Sequence, residues 1–186
     1  MKIEFNNSLE DIIDTLQLGT SQNKIKILGT LHNTNNSKIL QQIILKLNDD
    51  SIQVRGEAFN ALLLNQNNIA QILINNLRSS NKNIIGFTSL VLANRNEKSA
   101  IPEITKLVNN EHGMVRSCAI GSLGYLHAEK ITEIILKSLT DSNLEVQKSA
   151  LNVAIQTNIF VSKEKIKEIS KNDDQQIKNL LLKLKK

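Results

Sequence analysis

The chain has 186 residues, of which 40% are apolar and 22% charged, while only 3% are aromatic and none is Trp, so Ile and Leu must build the core. Of the net charge of +5, +4 falls within Val161 to Lys186, which leaves a basic tail on a body near neutrality and argues against a phosphate-binding surface along its length. A single cysteine, Cys118, excludes an intrachain disulfide and a Cys-rich metal site, and it fits a reducing compartment such as the cytoplasm.

The N-terminal M-K-I-E-F-N-N-S-L-E-D carries acids early and is not a secretory signal, and no run approaches the roughly 18 apolar residues of a membrane span. After Ser8, a residue suited to capping, Leu9, Ile12, Ile13 and Leu16 recur at helical spacing and predict a helix over 8–18 that ends near Gly19. Its partner covers 23–32. Ile39, Leu40, Ile43, Ile44 and Leu47 form the stripe of the next helix, Asp49, Asp50 and Ser51 stop it, and Val54 opens the following one. The alternation continues with helices predicted at about 67–78 and 81–95, 99–109 and 112–126, 129–139 and 143–156, then 163–170 and 174–185. Pro102, the only proline, falls in a first turn, where a missing N–H costs little. Apolar residues recur at three and four, never at two, so no strand is expected, and the connections are too short to separate domains.

A second period lies over the first. Val115, Arg116, Ala119 and Leu123 repeat the skeleton of Val54, Arg55, Ala58 and Leu62, and equivalent positions fall at Asn23, Ile84, Val146 and Ile177, always 30 or 31 residues apart. Such a period means stacked units that cannot bury their apolar faces alone. The stretch from Ala100 to Gly124, A-I-P-E-I-T-K-L-V-N-N-E-H-G-M-V-R-S-C-A-I-G-S-L-G, resembles the short HEAT repeat of the phycobilin-lyase type. That resemblance implies an all-α, right-handed α-solenoid of about six helical hairpins, with 1–186 as one repeat domain. In the resemblance Asp49 with Arg55, and Asp141 before Val146, occupy the places of the family's turn aspartate and inner-helix arginine. Ile85, Gln147, Lys24 and Lys178 replace the arginine elsewhere, while Ser79 and Asn110 replace the aspartate, so an Asp-Arg ladder would be broken.

Enzyme readings find little support. The di-iron hydroxylases with HEAT-like repeats use His-Glu pairs, and this chain has His32, His112 and His127 without one such step. A P-loop, a dinucleotide fingerprint and a zinc spacing are absent. Cys118 near His112 and His127 reads as a small apolar filler beside a helix-end imidazole, not as a nucleophile with its base. No catalytic residue, metal ligand or cofactor is expected. The C-terminal lysines, Lys183, Lys185 and Lys186 among them, read as the polar cap of a solenoid end, with a phosphate-binding patch as the alternative.

Projecting the second helix of each hairpin at about 100° per residue sends one strip away from the core. It holds Gly56, Asn60 and Leu63, then Gly86 and Leu90, then Ser117 and Gly121, then Lys148 and Asn152, with Phe87 and Tyr125 on its flanks. Gly29 and Gly124 project to the same side, so five of the seven glycines share it. Two readings stand: crowding between neighbouring helices, or a smooth, nearly neutral groove for another protein or peptide, anchored by Leu63, Phe87, Leu90 and Tyr125. The expected function is a noncatalytic interaction scaffold. A nucleic-acid-binding helical repeat is the alternative, and a phycobilin-lyase-like enzyme or chaperone comes third.

Overall fold

The computed structural model describes residues 8–184, so Lys185 and Lys186 of the expected cap lie outside the described residues. Every element among these residues is helical, as the spacing predicts. The chain divides into two compact units, Met1–Val91 and Leu92–Lys186. The first holds α1 (Leu9–Leu18), α2 (Ser21–Leu28), α3 (Ser37–Leu45), α4 (Ile52–Leu63), α5 (Ala70–Asn76) and most of α6 (Lys82–Asn94). The second begins inside α6 and continues with α7 (Ile101–Lys106), α8 (Gly113–Tyr125), α9 (Ile131–Ser138), α10 (Leu144–Gln156), α11 (Lys163–Ile169) and α12 (Gln175–Leu184). Pro102 sits in the first turn of α7.

The inner helices α4, α6, α8, α10 and α12 bury the repeat skeleton at its zero position, through Val54, Ile84, Val115, Val146 and Ile177. Ala58, Ala119 and Ala150 are fully buried four residues on, where α6 carries Thr88, and Leu62, Leu92, Leu123 and Ala154 follow after four more. In the first unit Leu16, Leu28, Ile43, Ile44, Leu47 and Leu73 join them with no exposure. In the second, Ile135, Leu139, Leu151, Ile169 and Leu181 close the core around α10. Each such Leu or Ile contributes about 1.5–3 kcal/mol, which is what holds short helices that would be marginal alone. Asn23, the polar member of the series, is exposed on α2, and Ile27 and Leu31 carry the burial there.

The turns explain why Asp, Ser and Asn exchange freely at one position. Asp49, Ser79, Asn110, Asp141 and Asn172 each accept the backbone N–H two residues on, at 2.8–3.1 Å. Any short side chain with an oxygen makes that turn. Two residues later Ser51, Asn81, Asn143 and Asp174 cap the next helix through the same kind of bond, as Thr20 does for α2. At the opposite ends, Asn96, His127 and Asn158 adopt left-handed φ values of 57°, 52° and 53° after α6, α8 and α10. The bonds Glu97 N–H to Leu92 O, Ala128 N–H to Leu123 O and Ile159 N–H to Ala154 O complete a Schellman closure each time.

Some helices are shorter than predicted, because side chains of the first unit claim the connecting backbone. Asn65, buried to 1% exposure, donates from Nδ2 to Thr34 O at 2.8 Å, and Asn67 Nδ2 donates to Asn33 O at 2.9 Å. These bonds tie two loops together and delay α5 to Ala70. Gln41 on α3 and Asn76 on α5 exchange reciprocal amide bonds of 3.1 and 3.2 Å. α2 ends at Leu28, where Thr30 and Leu31 turn back on Ile27 and Leu28.

Candidate partner-binding face

In the first unit α4 presents Gly56 and Asn60 exposed and Leu63 half-buried, with Leu64 beside them 58% exposed. A Cβ built on Gly56 meets nothing within 4 Å. On α6 Phe87 and Leu90 are half-buried, whereas Gly86 is buried, and its carbonyl accepts the Ser89 hydroxyl at 2.7 Å. Gly86 therefore leaves the candidate face. The projection treats a helix as having one inner side, but an inner helix of a repeat stack has neighbours on two.

The second unit shows this directly. Ser117 holds on α8 the offset that Gly86 holds on α6, and it faces α10: its hydroxyl donates to Glu145 O at 3.2 Å, and its carbonyl accepts the Ser149 hydroxyl at 2.9 Å. Ser117 thus knits two helices together. Gly124 is buried with Val153 carbons 2.6 and 2.7 Å from where a Cβ would stand, and Gly113, off the strip, meets the Asn143 side chain at 2.5 Å. These two glycines are packing requirements. Gly121 differs, because its Cβ would touch only Ser149 Oγ at 3.6 Å, an ordinary contact. Around it Tyr125 is 58% exposed and Asn152 is exposed. Crowding therefore accounts for part of the glycine strip, and Gly56 and Gly121 stand outside that account.

Lys148, the one charge on the strip, is neutralised by its own neighbours. Its ammonium lies 3.0 Å from Glu145 Oε1 and 3.0 Å from Asp174 Oδ2. The hydrogen bond to Asp174, then that to Glu145, raises its pKa above the usual lysine range. Asp174 is held below the ordinary carboxylate range by the Ile177 N–H, with Lys148 next. Lys148 keeps its charge, and the two carboxylates beside it leave no excess positive charge at this place.

The inner-helix cations divide their work between turn carbonyls and turn carboxylates. Arg55 donates to the carbonyls of Asp49 and Asp50 at 2.7 and 3.2 Å, while the Asp49 carboxylate receives Lys24 of the preceding repeat at 2.9 Å. Burial works against the Asp49 charge, yet the bonds from Lys24 and the Ser51 N–H outweigh it and hold the carboxyl low. Arg116 combines both jobs, donating to Asn110 O and Glu111 O at 2.9 and 3.0 Å and reaching Asp141 of the next repeat. Gln147 keeps the backbone job alone, donating to Asp141 O at 2.6 Å.

Cys118 is half-buried on α8, and burial pushes its thiol up to about 11, away from a reactive thiolate. His112 and His127 are exposed at the two ends of that helix. No group of residues suited to a metal ion occurs among the described residues, and no helix there is long and apolar enough to cross a membrane. Away from the strip, a cleft of about 1230 Å³ opens near the C-terminal end of the second unit, with Phe160, Lys163, Lys167, Leu181, Leu182 and Lys183 in its lining. Its one signal in the sequence is Phe160, an aromatic beside a turn in a chain with four Phe.

Comparison with known proteins gives the fold a name. The family model for HEAT repeats matches residues 70–156, and one for a HEAT repeat associated with sister chromatid cohesion matches residues 33–56. No curated protein matches the chain. Among solved structures, the complex of CpcE and CpcF of phycocyanin lyase from Nostoc sp. PCC7120 superposes with a TM-score of 0.66 at 17% identity, covering 81% of this chain and 100% of that one. An engineered protein matches at a TM-score of 0.56 and 16% identity over 96% of this chain and 98% of its own. A designed armadillo repeat protein in complex with the peptide (KR)4 matches at 0.51 and 16% identity, with the same two coverages. At these identities the likeness shows the fold, a helical-repeat solenoid of the HEAT and armadillo kind.

Proposed function

We propose that this chain, which carries HEAT repeats over residues 70–156, works as a noncatalytic interaction module that receives another protein or peptide on its inner helices. In the second unit the receiving face is Gly121, Tyr125 and Asn152 with the neutralised Lys148; in the first it is Gly56, Asn60 and Leu63. The observation that carries this reading is that a Cβ would meet nothing within 4 Å at Gly56 and only Ser149 Oγ, at an ordinary 3.6 Å, at Gly121. A glycine inside a helix costs about 1 kcal/mol relative to alanine, and at these two positions no neighbour in the fold requires one. A partner's backbone approaching closely would. Structures with this fold include one solved with a peptide and one solved as a complex of two proteins, which supports a protein partner in general. The single cysteine is in keeping with work in the cytoplasm.

The test replaces Gly56 and Gly121 with Gln in the full chain and compares capture of partners from the native organism's extract. Unchanged helicity with loss of the same captured protein is the expected result. Retention of every captured protein by both variants would reject the face. Binding of duplex DNA that survives moderate salt would instead favour a nucleic-acid-binding repeat, which the cancelled charge of Lys148 argues against.

A further inference from the structure

The cleft beside α12 holds large apolar side chains next to lysines. It lies between the end of α10, the connection through Phe160 and Val161, α11, and the last turns of α12. Val161 and Leu181 are buried within it, while Phe160 and Leu182 remain 83% and 64% exposed. Large apolar side chains left in water on a concave surface mark a place where something else is buried. Charge narrows the choice. Lys163, Lys167, Lys178 and Lys183 line the cleft, and no carboxylate does among the described residues. Of these lysines Lys178 alone makes an ion pair, with the fully exposed Asp173 at 3.1 Å; Lys163 and Lys167, although Glu164 and Glu168 follow them in sequence, and Lys183 have no carboxylate partner among the described residues.

We propose that this cleft docks an acidic amphipathic helix of a partner protein. Its apolar stripe covers Phe160 and Leu182 and enters toward Leu181, while carboxylates on its flanks meet Lys163, Lys167 and Lys183. An apolar floor with unpaired cations around it complements a segment that carries apolar residues at i, i+3, i+4 and i+7 between rows of Glu or Asp. A membrane surface would match the charge, but a flat bilayer reaches a concave floor poorly. This site is separate from the glycine face on α8 and α10, so either can fail alone.

The experiment uses the full chain and a fluorescein-labelled synthetic helix about four turns long, with Leu on its stripe and Glu on both flanks, followed by anisotropy. Binding should weaken as salt rises, and it should fall about tenfold or more when Lys163, Lys167 and Lys183 are all changed to Glu. Phe160→Ser should also lose affinity, and Gly121→Gln should bind as the parent does. Both cleft changes are at exposed positions, and matching circular dichroism melts confirm that the fold is kept; if the triple variant unfolds, Phe160→Ser decides alone. Equal binding of a peptide with Lys in place of every Glu, or unchanged binding by the lysine and Phe160 variants, overturns the proposal. So does lysine-dependent sedimentation with phosphatidylserine vesicles by a chain that ignores the peptide, an outcome that assigns the surface to a membrane.

Discussion

Arg116 clamps Asp141 through two nitrogens, Nε to Oδ2 at 2.9 Å and Nη2 to Oδ1 at 2.6 Å, across 25 positions of sequence. Lys24 reaches Asp49 across the same 25 positions. The rung therefore joins an inner helix to the turn of the next repeat, and a carboxylate matters only where the preceding repeat supplies a cation. The hydrogen bonds from Arg116 hold the Asp141 carboxyl below its ordinary range. A depressed folded pKa gives stability that is complete above the unfolded value, about 3.9, and that is lost as pH falls through the folded one. Asp141→Asn keeps the oxygen that caps the turn, as Asn110 does, but it removes the charge and puts an amide NH2 where Oδ2 accepts the Arg116 Nε–H. It should cost about 1–2 kcal/mol at neutral pH, and the difference should shrink as pH falls through the depressed pKa of the folded Asp141 carboxyl, in urea melts of both proteins.

Thr88 stands where three other repeats carry Ala58, Ala119 and Ala150, and its hydroxyl is buried without a hydrogen-bond partner. Thr88→Val keeps the shape and removes the unsatisfied group. It should stabilise the fold by about 1 kcal/mol, read as an upward shift in Tm. A lower Tm would mean that the hydroxyl is satisfied in solution.

The helical glycines should separate into two classes. Gly56→Ala enters open space and Gly121→Ala meets only Ser149 Oγ at an ordinary contact distance; both improve helix propensity and stiffen the unfolded chain, so each should stabilise by up to about 1 kcal/mol. Gly124→Ala drives a methyl into branched Val153 and should cost about 1–3 kcal/mol. Gly113→Ala displaces Asn143, the N-cap of α10, and should cost about 1 kcal/mol. Chemical denaturation of the four variants checks the order.

Cys118 should behave as a buried thiol. With its pKa pushed up to about 11, alkylation by iodoacetamide near neutral pH should be slow in the folded chain and fast in urea. Equal rates in both states would contradict the assignment.

Much of this architecture was legible before any coordinate. The 30 to 31 residue period, the cap at Ser8, and the buried series from Val54 to Ile177 all lie in the chain's own order, because hydrogen bonds two or three residues long and a 3.6-residue stripe are local properties. Tertiary structure decided what each outward position faces. Gly86 and Gly121 share one strip in projection, yet the first is buried and the second has room for another atom. Lys148 reads as the charge of the strip until Asp174, 26 residues on, cancels it. The cleft around Phe160 is assembled from α10, α11 and α12, and no one of these helices carries its pattern alone. Periodicity reports the faces of a single helix; whether a face meets solvent, a neighbour or a partner depends on how closely the next helix lies, and that distance is set by side chains about 30 residues apart.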